Sequence, residues 1–363
     1  MADHHLYPRR ELATHYLQLL LDRPHGALSL FGPRQIGKTT FITGDLSALA
    51  SSRKIQPVYI DLMAAVDKLE AINGALREAA YALKSRRSQE RLRGVKALGV
   101  GVDFEAAAQA PTSSDPGQQL QHLMADLLRQ PGVQRVLLLL DEVQELAQSK
   151  DGDATMKAVR AVANKHKADG RVLMLMTGSS REGLARLFAA HGRPSFGLAE
   201  RQDFPVLGRD YVEYVVHRAN EPRSRGHKLK VDEFVEAFGM MDHRPADLEA
   251  FVGHVATYNV RDVVGAVPSF LKARYPTDQL EQRYSAMTPL QRILLAHIAN
   301  GATELTGQSM IRTVVEQLGT SVTPAGVRKA LTRLPGDILA NPHRGSYVIV
   351  DPIFAGWLKS RIS

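Results

Sequence analysis

The feature that most narrows what this chain can fold into is the run Gly32-Pro33-Arg34-Gln35-Ile36-Gly37-Lys38-Thr39, which matches G-x-x-x-x-G-K-[ST] in full. It stands between a short apolar run, Ala27 to Phe31, and the amphipathic stretch Phe41 to Ala50. Strand, glycine loop and helix in that order build an anion site. The glycines let the backbone curl so that its N–H groups point inward, and the helix begins at the anion with the positive end of its dipole. The pattern predicts that Lys38 reaches the β and γ phosphates of a nucleotide. Thr39 is expected to give its hydroxyl to Mg2+, and Thr40 to support the α-phosphate side. Arg34 is open between phosphate contact and solvent.

A second motif stands where such chemistry requires one. The apolar run of Arg135 to Glu142 ends in an acidic pair, of which Asp141 is expected to hold the Mg2+ shell and Glu142 to polarise the attacking water. A third apolar run, Val172 to Gly178, ends in Thr177, Ser179, Ser180 and Arg181. Hydroxyls there can sense the γ-phosphate, and the arginine can neutralise transition-state charge; the serines can equally cap the next helix.

The surrounding pattern predicts an α/β class: a mostly parallel P-loop sheet with helices on both faces over residues 1–207, a helical lid over 208–284 and a winged helix over 285–363. Nearly all-apolar strands at 27–31, 57–62, 135–141 and 172–178 alternate with helical stretches at 9–21, 63–83, 118–129 and 156–167, which is the signature of a sheet buried on both faces. The segment 84–96 is strongly basic and is expected to be solvated, and 99–106 alternates like an exposed strand. A length of 363 residues also asks for more than one module.

Composition removes several chemistries. The chain has no cysteine, which excludes disulfides, thiol nucleophiles and cysteine metal sites. No apolar run approaches the length of a membrane span and the first residues carry no apolar leader, so a cytoplasmic protein without a membrane partner is expected. A net charge of +8 is compatible with attraction to polyanions and equally with a merely soluble basic surface.

The last segment reads as three short helices (288–299, 307–319 and 323–334) and a hairpin at 337–351. Thr288 and Thr323 each precede a proline at a first helical position. In a winged helix the third helix carries the reading face, here Arg328, Lys329 and Arg333, with Arg344 at the wing tip. DNA is one expected partner; docking to a protein partner or to the chain's own nucleotide domain is the alternative. Phe354 and Trp357 read as core anchors.

Taken together, several stretches resemble the archaeal-type ATPase family on the AAA+ and STAND side of the P-loop ATPases, related to origin-recognition ATPases. They are Tyr7 to Leu12, FGPRQIGKTTF, LLLLDEVQEL, MTGSSREGL, RPSFGLAERQDFPVL, HRPADLE and SYVIVDPIFAGWL. The resemblance implies that Tyr7, Pro8 and Arg9 contact the adenine and that Arg181 reads the γ-phosphate. It further implies that Arg193, with Arg201 as a weaker candidate, is presented to a neighbouring subunit, and that Arg244 and Pro245 line the base or phosphates from the lid. His243-Arg244-Pro245 departs from both the AAA+ and the STAND forms of that motif. The implied activity is that of a Mg2+-dependent ATPase switch, with a nucleotide-dependent homo-oligomer among its states. The alternatives from other classes are a scaffold with structural ATP and a small-molecule phosphotransferase.

Overall fold

The computed structural model describes residues 7–23, 26–96, 115–147, 149–179, 181–188, 191–224, 228–275, 277–302, 304–336, 338–343 and 346–362. Five parallel strands form the sheet: β1 (Ala27–Phe31), β2 (Ile55–Asp61), β3 (Arg135–Asp141), β4 (Val172–Gly178) and β5 (Glu200–Asp203), in the order β2-β3-β4-β1-β5. The period-2 alternation of each apolar strand divides its residues between two cores. Leu137 and Leu139 face α1 (Arg10–Asp22), α2 (Lys38–Phe41) and α3 (Ser47–Ser52). Val136, Leu138 and Leu140 face α4 (Lys68–Lys96), α5 (Pro116–Leu128), α6 (Gly152–Lys165) and α7 (Arg181–Phe188). The four leucines Leu137 to Leu140 have no exposed surface. Each such side chain contributes about 2 kcal/mol relative to an exposed one.

This alternation also aims the polar ends of the strands. Asp141 has the parity of Leu137 and Leu139, Thr177 that of Leu173 and Leu175, and Tyr59 that of Ile55, so all three fall on the face that carries the glycine loop and α2.

Three local features differ from the sequence expectation. The helix expected from Met63 begins at Lys68, because the Asp61 carboxylate accepts from the Met63 and Ala64 amides at 2.8 and 3.4 Å and turns the chain first. That helix also continues through the basic segment to Lys96. The strand β5 was not foreseen: Glu-Arg-Gln-Asp contains no apolar residue and pairs with β1 only through its backbone, at the sheet edge. The strand expected at 99–106 lies outside the described residues. Between α2 and α3, a π-helical turn occupies Ile42–Leu46.

The rest of the chain is mainly helical. Helices α8 (Arg209–Asn220), α9 (Val231–Met240), α10 (Pro245–Tyr258) and α11 (Val263–Arg274) enclose a core of their own around Phe234, Phe238 and Phe251. A further core gathers α12 (Thr277–Ser285), α13 (Pro289–Ala299), α14 (Gln308–Leu318), α15 (Pro324–Thr332), the antiparallel hairpin β6 (Leu339–His343) and β7 (Ser346–Ile349), and α16 (Pro352–Ile362). Thr288 and Thr323 cap α13 and α15 through their side chains, as their positions before proline predicted. Helix α16 is an addition to the expected three helices and hairpin; the Asp351 carboxylate starts it by accepting from the Ile353 and Phe354 amides. Phe354 is fully buried and Trp357 packs beside it, in keeping with their reading as anchors. No helix among the described residues is long and apolar enough to cross a membrane.

Candidate functional site

The loop after β1 places two residues in the left-handed region, Gln35 at φ 64° and Gly37 at φ 90°. At Gly37 an L side chain would be strained, which accounts for the second glycine of the motif. A Cβ on Gly32 would come within 2.6 Å of Ile36 Cδ1 and 3.2 Å of Phe204 Cβ, so the position of the first glycine is crowded as well. The tight curl leaves Lys38 buried, with its Nζ donating to the Gly32 and Pro33 carbonyls at 2.6 and 2.7 Å. Burial pulls this ammonium below its ordinary pKa, opposed by the Glu142 and Asp141 carboxylates. A desolvated cation satisfied only by neutral carbonyls is poised to gain from an anion.

Around Asp141 the sheet assembles hydroxyls from three elements. Thr39 donates to Asp141 Oδ2 at 2.6 Å, Tyr59 donates to the same oxygen at 3.2 Å, and Thr177 donates to Oδ1. Burial, with the adjacent Asp141 carboxylate, pushes the Tyr59 phenol above its ordinary pKa, so it keeps its proton and donates. Glu142 follows in a left-handed conformation, φ 56°, uncommon for a residue with a side chain. Its amide donates to Thr177 Oγ1 at 3.3 Å, and its Oε2 accepts from Ser179 at 2.7 Å and from the Gln144 amide. Gln144 lies in the 3-10 turn Val143–Ala147 and donates also to Ser179 at 3.3 Å.

The residues of the three motifs therefore converge at the carboxyl end of the sheet, beside the start of α2. Asp141 and the Thr39 hydroxyl are hard oxygen donors already in contact, and they fit a Mg2+ ion that completes its shell with phosphate oxygens and water. No group of three or more His, Asp or Glu suited to an all-protein metal cage occurs among the described residues.

Other expected residues are placed as follows. Pro33 and Gln35 are exposed and Ile36 is buried; Thr40 is exposed, and Arg34 is half-buried with its Nε lacking a hydrogen-bond partner among the described residues. Pro245 approaches the loop from α10, its Cγ 4.0 Å from where a Cβ on Gly37 would sit. Arg244, the residue before it, is buried, with Nε donating to the Met241 carbonyl and lying 2.8 Å from Asp247 Oδ2, while its Nη1 has no hydrogen-bond partner among the described residues.

Tyr7 packs edge-on against Tyr211 and Tyr214 of α8. Pro8 is exposed, and Arg9 lays its guanidinium over Phe204 at 4.6 Å and donates to the Pro205 carbonyl. The Tyr7–Arg9 stretch thus bridges the sheet and the helices behind it.

Arg193 pairs with Asp153 of α6 at 3.4 Å, and Arg201 is exposed on β5. Arg181 begins α7; its side chain, with Ser180 and Arg344, lies outside the described residues. Arg328, Lys329 and Arg333 are exposed on and just beyond α15. Sequence reasoning missed Tyr59 and Gln144. Tyr59 reaches Asp141 through strand register, which no local pattern shows; the position of Gln144 two residues after Glu142 was the one available signal.

No family model matches the chain, and no curated protein matches it in sequence. Its structure is similar to that of a Walker-type ATPase of Pyrococcus abyssi, with 17% identity, 99% of this chain and 97% of that chain covered and a TM-score of 0.62. It is also similar to the ORC2 protein of Aeropyrum pernix in its ADP form, with 15% identity, the same coverage of 99% and 97%, and a TM-score of 0.57. The likeness to these two structures is one of fold: a parallel sheet followed by a mainly helical region.

Proposed function

We propose that this protein binds and hydrolyses ATP with Mg2+ and uses the nucleotide state to reposition a C-terminal winged helix that engages DNA or a protein partner. The observation that carries the reading is the position of α7. It begins two residues after Ser179 and packs both against the Val143–Ala147 turn that holds Gln144 and against β6 of the C-terminal hairpin. Ser179 and Gln144 are the two residues that hold the Glu142 carboxylate. A change at the γ-phosphate position therefore has a short packed route to the hairpin.

In this reading the chain divides at 1–207, 208–284 and 285–363, with α12 lending Leu280 to the terminal core. The backbone from Gly32 to Thr39 cradles the phosphates, Lys38 offsets their charge, and Thr39 with Asp141 holds Mg2+. Mg2+, when bound, neutralises charge on the β and γ phosphates. Glu142, released from Ser179 and Gln144, orients the attacking water. Arg181, and Arg193 from a neighbouring copy, supply positive charge to the transferring phosphoryl group. Tyr7, Pro8 and Arg9 contact the base at the seam between sheet and helices, and Arg244 with Pro245 closes on the loop from the lid. Exposed Arg328, Lys329 and Arg333, together with Arg344, form the DNA-facing surface.

A second reading, a signalling or assembly scaffold that retains ATP with negligible turnover, draws on the hold that Ser179 and Gln144 keep on Glu142.

Glu142→Gln tests the first reading. ATP binding is expected to persist while turnover falls by about a hundredfold. In that trapped state, amide exchange of Leu339–His343 should differ from the nucleotide-free protein. Unchanged turnover moves the base elsewhere, negligible wild-type turnover with co-purifying nucleotide supports the scaffold, and identical exchange breaks the coupling.

A further inference from the structure

Asp141 receives three hydroxyls, and one comes from a residue that belongs to no motif. Thr39 and Tyr59 both donate to Oδ2, and Thr177 donates to Oδ1. Tyr59 lies on β2, an edge strand of the sheet, in register with Leu139, and so stands diagonally across from Asp141 on the same face. Tyr59 is 36% exposed, yet its hydroxyl is turned to the buried carboxylate.

Resting on the metal reading above, we propose that Tyr59 is a positioning residue of the Mg2+ site, holding the Asp141 carboxylate in the orientation that the metal shell requires. The reason lies in what Thr39 must do. Its oxygen is the group expected to enter the metal shell, so its hydrogen bond to Asp141 is the one subject to rearrangement when metal and nucleotide arrive. Thr177 and Tyr59 then remain, one on each carboxylate oxygen, and two holds on opposite oxygens fix the rotation of the carboxylate about its Cβ–Cγ bond. With Tyr59 removed, only Thr177 stays outside the shell, and the plane of the carboxylate is free to turn. Outer partners of metal-binding groups act in this way, by limiting the orientations that the binding oxygens sample. The ordinary role of an aromatic on an edge strand is β-propensity and partial cover of the sheet, and that role needs the ring but not the hydroxyl.

The test uses the full chain and a non-hydrolysable ATP analogue, with affinity measured by calorimetry in chelator and again across a Mg2+ titration. Tyr59→Phe should leave metal-free affinity within about twofold of wild type and reduce the Mg2+-dependent gain in affinity by about tenfold, with half-saturation at correspondingly higher Mg2+. Tyr59→Leu, which removes the ring as well, should lose the same gain, because the loss follows the hydroxyl. The thermal midpoint of the Phe variant should match wild type.

A Phe variant that keeps the full Mg2+ gain overturns the proposal and leaves Tyr59 as a strand residue. A Phe variant that loses metal-free and Mg2+-dependent affinity together also overturns it, since the effect then lies on the glycine loop. Wild-type protein that binds the analogue with no gain from Mg2+ overturns instead the metal reading on which the proposal rests.

Discussion

At the carboxyl end of the sheet, Lys38, Asp141, Thr177 and Ser179 are buried, and hydrogen bonds from Thr39 and Thr177 to Asp141 and from Ser179 to Glu142 tie that end together across the primary sequence; on and beside α15, Arg328, Lys329 and Arg333 stand in solvent. Both regions are proposed to meet phosphate, and they are built on opposite terms. Burial makes each group of the first site individually decisive, because a desolvated charge has few partners and each counts for much. Exposure makes the second surface collective: each arginine is screened by water and salt, and only the sum steers a polyanion. Single substitutions should therefore act strongly at the sheet and weakly on the helix.

The largest effect is expected from Lys38→Ala, which removes the one buried ammonium of the loop. Nucleotide binding should be abolished, and micromolar ATP affinity retained in calorimetry would sink the phosphate-site reading.

An intermediate effect is expected from reversing Arg328, Lys329 and Arg333 to Glu together. DNA affinity should fall, and the dependence of log K on log salt should flatten by about 0.9 for each phosphate that the variant no longer neutralises, with ATP affinity intact. An equal reversal at Arg86, Arg87 and Arg91 in the basic segment is the control. Equal losses in both triple variants would mean a general field rather than a dedicated surface, and no loss in either would pass the role to a protein partner.

The smallest effect belongs to Arg193→Ala. Its pair with Asp153 is partly exposed on both sides, so stability should change by less than about 1 kcal/mol. If Arg193 acts on a neighbouring copy, the ATPase rate per subunit should rise with protein concentration in the wild type and lose that rise in the variant, with ATP binding spared. A rate independent of concentration removes the intersubunit role.

Much of the sheet end was legible before the structure, because its groups lie in contiguous motifs. Gly32 to Thr39 is a single loop, Asp141 and Glu142 close a single strand, and Thr177 to Ser179 close another. Strand termini of buried parallel sheets announce themselves by an apolar run ending in polar residues, and β3 and β4 do so here at the site. Strand β2 also ends in a polar residue, but Asp61 accepts from the Met63 and Ala64 amides of the turn that follows, and the residue of β2 that meets the site is Tyr59, two positions earlier. A tyrosine inside a strand carries no local mark of that role. Strand β5 escaped notice for a related reason: at a sheet edge, backbone pairing suffices and no apolar side chain is required.

By itself, the sequence determined the glycine loop, the order of the apolar strands and the helices between them, and the chemical kinds present at the strand ends, because these follow from short-range conformational freedom and from burial on two faces. Only the tertiary structure decided which of those groups meet. Parallel strands leave the register between neighbours to the packing of whole crossovers, and it is this register that sets Tyr59 diagonally to Asp141 and Thr177 on its other side. It is packing between distant elements, too, that seats β6 on α7 and brings Pro245 to the loop at Gly37. Such contacts depend on where whole layers come to rest, and no spacing along the chain encodes them.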